Sequence, residues 1–362
     1  MQMLKFSPSE KWPLRRDIAD VIRVRYWYEG VRKRTALSTP YALERHFEPR
    51  SIHIRSSGKS CNPCKWNNYV SGFMTPRSHL VSVVEAVLPG SHQDILHPLW
   101  DVLKTNLSAE TASDAFLRRL SPTTQKACEM PLKGSNSYLH LTAFGVREIH
   151  ALEGIADLDA LAALVWRLKV AIARKEDVIA GKLSRSIYKV LLMCGIWWQE
   201  RGLAGWMLHL FVIRAMCLWA PKQLRFTMSI TKLMHASAVL NLAVYHTELR
   251  GKVDIPWPKR VHVMRKLLGG SYGDDILQAM APIYLPDPRQ KHLSKDMFRR
   301  LLAKERLRKW GWRCVISNEP QKLPPSDIHH PSAFAQNLRI GLPRTSGTTG
   351  ALLRIFSSES VD

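Results

Sequence analysis
Two adjoining stretches carry side chains whose types and spacing could do chemistry. Cys61-Asn62-Pro63-Cys64 has the spacing that brings two thiolates onto one zinc ion. A closed zinc site needs two further donors, and with no second C-x-x-C they would be histidines such as His53, His79 or His92. Two incidental free thiols account for Cys61 and Cys64 with fewer demands, so no metal and no cofactor is expected. Directly after them, Lys65-Trp66-Asn67-Asn68-Tyr69 offers a different chemistry. Trp66 and Tyr69 are three apart and can share a buried helical face, leaving Lys65, Asn67 and Asn68 outward. Lysine reaches phosphates and asparagine reaches base edges, so this stretch has the composition of a nucleic-acid reading head.

Other reactive constellations are missing their defining residues. Gly58-Lys59-Ser60 ends like a phosphate-binding loop, but His53 stands where its first glycine must bend the chain. The sequence has no G-x-G-x-x-G, no H-E-x-x-H and no G-x-S-x-G. Asp254, Asp274, Asp275 and Asp287 could gather around a magnesium ion beside Lys291, as a nuclease would require. Asp274 and Asp275 are explained more simply as the acidic first turn of a helix after Gly273. A non-enzymatic role is therefore expected, with an enzyme whose site is dispersed along the chain left open.

The 362 residues carry a formal charge of +23, which attracts polyanions. The charge is clustered, with basic regions in 1–100, 201–270 and 289–313 around a nearly neutral 101–200. In the first region Arg15, Arg16, Arg23, Arg25, Arg32, Lys33 and Arg34 would neutralise phosphates. In the last, Lys295, Arg299, Arg300 and Arg306 surround the apolar positions Met297, Phe298, Leu301 and Leu302 at helical spacing. Such a basic amphipathic helix can lie on phosphates or on an anionic membrane, or can dock its apolar side on the body and leave its charges in water.

Helical periodicity dominates the elements that must hold these residues. Helices are expected from Leu14 to an end near Gly30 to Thr35, at Tyr41–Phe47 behind the Thr39-Pro40 start, and from Pro76 to Val87 with Leu80, Val83, Val84 and Val87 on one stripe. The segment 50–63 reads as a loop. A helix is expected over Ile155–Ala180 with Gly181 as its stop, followed by helices at Arg185–Gln199, Leu203–Trp219 and Gln223–Leu249. Strand alternation does not extend beyond a few residues. The fold class expected is all-α: an N-terminal helical domain over 1–98, a helical bundle core over 99–281, a basic helix with its linker over 282–318, and a disordered tail over 319–362.

The order of an Arg-rich first helix, a short second helix, the Lys65-Trp66 segment, Gly72, Thr75-Pro76 and an apolar fourth helix resembles the Cro and cI repressor family of helix-turn-helix domains. The resemblance covers residues 14–90. It implies that Lys65, Asn67 and Asn68 face DNA, that Trp66, Tyr69, Leu80 and Val84 form the core, and that Gly72 and Pro76 make the turn. It also implies a bacterial transcription regulator.

Composition and resemblance lead to a nucleic-acid-binding protein, with DNA expected ahead of RNA. The alternative is a helical scaffold subunit of a larger complex, binding an acidic protein or a structural RNA. A protein partner or self-association is compatible with either. No membrane is expected as partner, since the apolar run before Arg214 is too short for a span. The dispersed cysteines and the absence of an apolar leader in Met1–Trp12 fit a cytoplasmic location.

Overall fold
Asp17 opens the first helix by accepting the Ala19 N–H at 2.8 Å, and Thr39 opens the second by accepting the Ala42 N–H at 3.1 Å. The computed structural model describes residues 16–49, 53–54, 60–61, 65–104, 114–128, 145–220, 224–247, 249–252, 254–287, 294–317 and 323–324. The fold is all-α. Its chain forms two compact units, one of residues 1–108 and 198–210, the other of 109–197 and 211–362.

The first unit contains α1 (Ile18–Thr35), α2 (Pro40–Phe47), a minimal ribbon of β1 (His53–Ile54) and β2 (Ser60–Cys61), α3 (Lys65–Ser71), α4 (Ser78–Val87), α5 (Ser91–Leu96) and α6 (Pro98–Leu103). Ala19, Val21, Ile22, Val24, Tyr26, Trp27 and Tyr28 bury α1 around most of its circumference, which makes it the axis of this unit. The core is aromatic. Trp66 is fully buried, stacked on Phe47 and on Trp27 with ring centres 5.7 Å apart in each case, and meets Tyr69 edge-on at 5.5 Å. Its indole N–H donates to Glu48 at 3.0 Å, so its one polar atom is satisfied. Pro40 sits in the first turn of α2 as the Thr39-Pro40 pair predicts, whereas α4 starts at Ser78 rather than Pro76.

The second unit contains α7 (Asp114–Leu117), α8 (Pro122–Cys128), α9 (Val146–Ile155), α10 (Leu158–Ala173), α11 (Asp177–Glu200), α12 (Ala204–Phe211), a π-turn (Val212–Met216), β3 (Leu224–Phe226), α13 (Ile230–Ala243), α14 (Trp257–Leu268), α15 (Asp274–Ala279), β4 (Tyr284–Pro286) and α16 (Lys295–Ser317). The ends of α11 and α12, Trp198–Glu200 and Ala204–Leu210, belong to the first unit. β3 and β4 pair antiparallel, with Phe226 opposite Tyr284.

Three expectations are corrected here. The helix expected over Ile155–Ala180 is two, broken at Arg174–Glu176, where Lys175 takes φ +58° and the Glu176 N–H donates to the Ala171 carbonyl at 2.8 Å. Gly181 is not a stop but lies inside α11. A Cβ there would stand 2.7 Å from the Trp219 ring, so the glycine makes room for an indole. The helix expected from Gln223 begins only at Ile230, capped by Ser229, because Leu224–Phe226 is taken into the ribbon with β4.

Candidate nucleic-acid interface
Of the cations expected to meet phosphate in the N-terminal region, Arg15 lies outside the described residues and the others already have partners within the first unit. Arg16 donates to the Gly72 carbonyl at 3.0 Å and to the Thr75 hydroxyl. Arg23 pairs with Asp20 at 3.0 Å and Arg32 with Glu29 at 2.8 Å. Arg25 lies 4.4 Å over the Trp206 ring, Lys33 pairs with Glu200 at 2.8 Å, and Arg34 donates to the Pro89 carbonyl at 2.5 Å. A phosphate must compete with each of these contacts. The contest is easiest at Lys33, where both side chains are about half exposed and an ion pair contributes only roughly 0–1 kcal/mol.

α3 presents the pattern expected of it, with Trp66 and Tyr69 buried, Asn67 exposed and Asn68 half-buried. Lys65 is drawn to Glu48 at 2.6 Å, the same carboxylate that takes the Trp66 N–H. The Asn68 carbonyl accepts the Phe73 N–H at 3.0 Å, closing the helix. Gly72 follows at φ +76°, and a Cβ there would collide with the Val21 carbonyl of α1, so only glycine fits. Burial and the nearby Glu48 carboxylate push the Tyr69 hydroxyl up to about 12, keeping it protonated at neutral pH. The turn held this way exposes Phe73 and Met74, at 55% and 46%, beside the exposed Arg77 and His79. Phe73, Met74 and Arg77 were not among the residues singled out from the sequence, and His79 was named there only as a zinc donor. The signal available was their place after a left-handed glycine, where a chain turning outward has no core to bury them.

α16 arranges its charges differently. Phe298 and Leu301 pack with Leu224, Tyr284, Met297 and Leu302, and further along Trp310 and Cys314 are buried. Of its acidic residues, Asp296 pairs with Arg300 at 2.9 Å, and Glu305 is buried and bound through both oxygens by Arg308 at 2.6 and 2.8 Å. Arg308 therefore turns inward, away from the outer basic side. Lys295, Arg299, Arg306, Lys309 and Arg313 recur at spacings of four, seven, three and four, which at 100° per residue keeps them on one side of the helix. From Lys295 to Arg313 the stripe runs about 27 Å at 1.5 Å per residue. Lys309 and Arg313, in the last turns of the helix, extend the stripe past the cations expected to make the site. The spacing of Trp310 and Cys314 on its buried side is the signal for its extra turns.

Among the described residues no group of three His, Cys, Asp or Glu side chains could share an ion. Cys64 and the Cys61 side chain lie outside them, as does Lys291. Asp275 is buried at the start of α15, where it accepts the Ile276 N–H at 2.9 Å, a local helix-start contact. Among the described residues no helix is long and apolar enough to cross a membrane. No protein-family model, curated protein or solved structure matches the chain.

Proposed function
We propose that this is a non-enzymatic nucleic-acid-binding protein that grips the sugar-phosphate backbone along α16. The observation that carries the reading is the disposition of that helix's acids. Asp296 is engaged by Arg300 and Glu305 is buried against Arg308, so neither lies on the side bearing Lys295, Arg299, Arg306, Lys309 and Arg313. A row of cations of this length matches several phosphates and acts without reference to base sequence. The apolar side of α16 is occupied by the core, which removes the face an amphipathic helix would insert into a lipid surface. Base readout, in this proposal, falls to α3 and the turn behind it, with Asn67 and Asn68 as the reading side chains. The resemblance to repressor-type domains makes duplex DNA the first ligand to test, and a bacterial-type cytoplasm with a part in transcription the setting.

The test is fluorescence anisotropy of the full chain with duplex DNA and RNA across a salt series. Exchanging Lys295, Arg299 and Arg313 for glutamate is expected to weaken binding strongly and to lower the slope of log K against log salt by about 0.9 for each lost phosphate contact. An unchanged slope, or no binding by the natural chain at low salt, rejects the reading. A second reading, a scaffold subunit, draws on the exposed Phe73, Met74, Val87 and Leu96 of the first unit. Under it, Phe73→Ser and Met74→Ser abolish capture of a protein partner and leave DNA affinity as it was.

A further inference from the structure
Glu153 on α9 is 3% exposed, and its carboxylate is met from three helices of the second unit. The Ser186 hydroxyl of α11 donates to Oε1 at 2.7 Å, and Lys189 of α11 stands 3.5 Å from the same oxygen. His150 Nδ1 is 3.2 Å from Oε2 and Arg265 Nε of α14 is 4.0 Å from it. An isolated buried carboxylate costs several kcal/mol, so some partner is obligatory. This one has more than neutralisation requires: Lys189 and Arg265 alone exceed its charge, before His150 is counted.

The cations are not consumed by the carboxylate. Their side chains remain 35%, 34% and 53% exposed for Lys189, Arg265 and His150. The Arg265 contact to Glu153 is beyond hydrogen-bond range, and its buried Nε has no hydrogen-bond partner among the described residues. Gly154 contributes by omission. A Cβ there would lie 3.2 Å from Arg265 Nη1, inside ordinary contact distance, so the missing side chain leaves the guanidinium its position. The result is a buried negative anchor under a partly open group of donors, an arrangement that orders long flexible cations before a ligand arrives.

We propose that His150, Lys189 and Arg265, gathered over Glu153, form a binding site for a phosphate group. Arginine presents paired N–H donors to phosphate oxygens, lysine adds a point charge, and the half-exposed His150 ring borders them. Glu153 is a positioning residue: it holds the donors and does not touch the ligand. The site shares no residue with α16 and does not depend on the reading of that helix.

The probes are inorganic phosphate and pyrophosphate, titrated into the full chain by calorimetry at constant ionic strength, with about 0.15 M chloride to screen diffuse attraction. Saturable binding is expected, weakened about tenfold in Arg265→Gln and in Lys189→Gln, as loss of a charge-assisted hydrogen bond implies. Gly154→Ala, which leaves every charge in place, is expected to weaken it several-fold by displacing the guanidinium. The α16 glutamate variant should bind these probes like the natural chain. Absence of saturable binding by the natural chain overturns the proposal, and so does binding unchanged in both Arg265→Gln and Lys189→Gln. Comparing an oligonucleotide with and without a 5′-phosphate separates the sources. A preference for the phosphorylated strand assigns the site to a nucleic-acid end, while equal affinity with retained phosphate binding assigns it to a small phosphorylated molecule.

Discussion

Arg201 and Asp94, 107 residues apart, form an ion pair of 3.2 Å inside the first unit, with the guanidinium 4.1 Å above the Tyr26 ring and donating to the Tyr26 carbonyl. Gly30 of α1 lies beside it, and a Cβ at that position would stand 2.5 Å from Asp94 Oδ2 and 2.8 Å from Arg201 Nη1. The pair is mostly buried, at 21% and 15% side-chain exposure. Gly30→Ala is expected to push the two groups apart and lower stability by about 1–3 kcal/mol, as overpacking does. Urea denaturation reads this. In a double-mutant cycle with Arg201→Ala the losses should fall short of additivity, because both changes break one contact.

The acid side of Asp94 gives a sign to test. Burial raises its carboxyl above the usual aspartate range, and Arg201 opposes this only in part. A raised folded value means that its contribution is full below the unfolded pKa and is lost as pH rises through the folded one. Glu85 runs the other way. Its carboxylate accepts the N–H groups of His92 and Gly90 and the Ser91 hydroxyl, which hold it below the usual glutamate value. Its contribution is present above the unfolded pKa, about 4.3, and disappears as pH falls through the lower folded value. Glu85→Ala should therefore be less stable than the natural chain at neutral pH and indistinguishable from it in strong acid, followed by thermal melts across pH.

Trp66 and Asn67 are neighbours with opposite expectations. Trp66→Ala empties the centre of the aromatic core and removes one of the donors to Glu48, with an expected cost of about 3–5 kcal/mol. Asn67→Ala touches an exposed side chain and should stay within about 0.5 kcal/mol of the natural stability. If α3 reads bases, the same change weakens binding to a preferred duplex more than to an arbitrary one. Equal melting temperatures with unequal DNA discrimination is the outcome sought.

At Gly311 the backbones of α15 and α16 come together. A Cβ there would collide with the Asp275 carbonyl and stand 2.6 Å from the Ala279 nitrogen. Both obstacles are main chain and cannot swing away. Gly311→Ala is expected to destabilise by about 1–3 kcal/mol despite alanine's higher helix propensity, which alone would favour it by about 1 kcal/mol. Circular dichroism during denaturation decides the sign, and a gain in stability would show that α15 can withdraw.

The residues most legible in the sequence are those whose role depends on their near neighbours. Thr39 caps and Pro40 starts a helix because both acts involve the next turn only. Trp66 and Tyr69 face inward because three residues bring a helix almost full circle. The inward turn of Arg308 was hidden, since its spacing alone suits the basic exterior and only a buried Glu305 draws it in. Gly181 misled for a related reason: a glycine after an apolar run looks like a helix stop until the Trp219 ring is seen against it.

By itself the sequence determined that this chain is helical, that its charge is strongly positive, and that Lys295, Arg299, Arg306, Lys309 and Arg313 recur on one side of a helix, because periodicity and charge are properties of consecutive residues. Tertiary structure decided which cations have partners. Arg201 found Asp94, Lys33 found Glu200, and Glu153 drew in Ser186, Lys189 and Arg265 from two further helices. The physical reason is that a buried charge must be compensated by whichever donors the packing of apolar faces brings within a few ångströms, and that packing joins residues with no fixed separation along the chain.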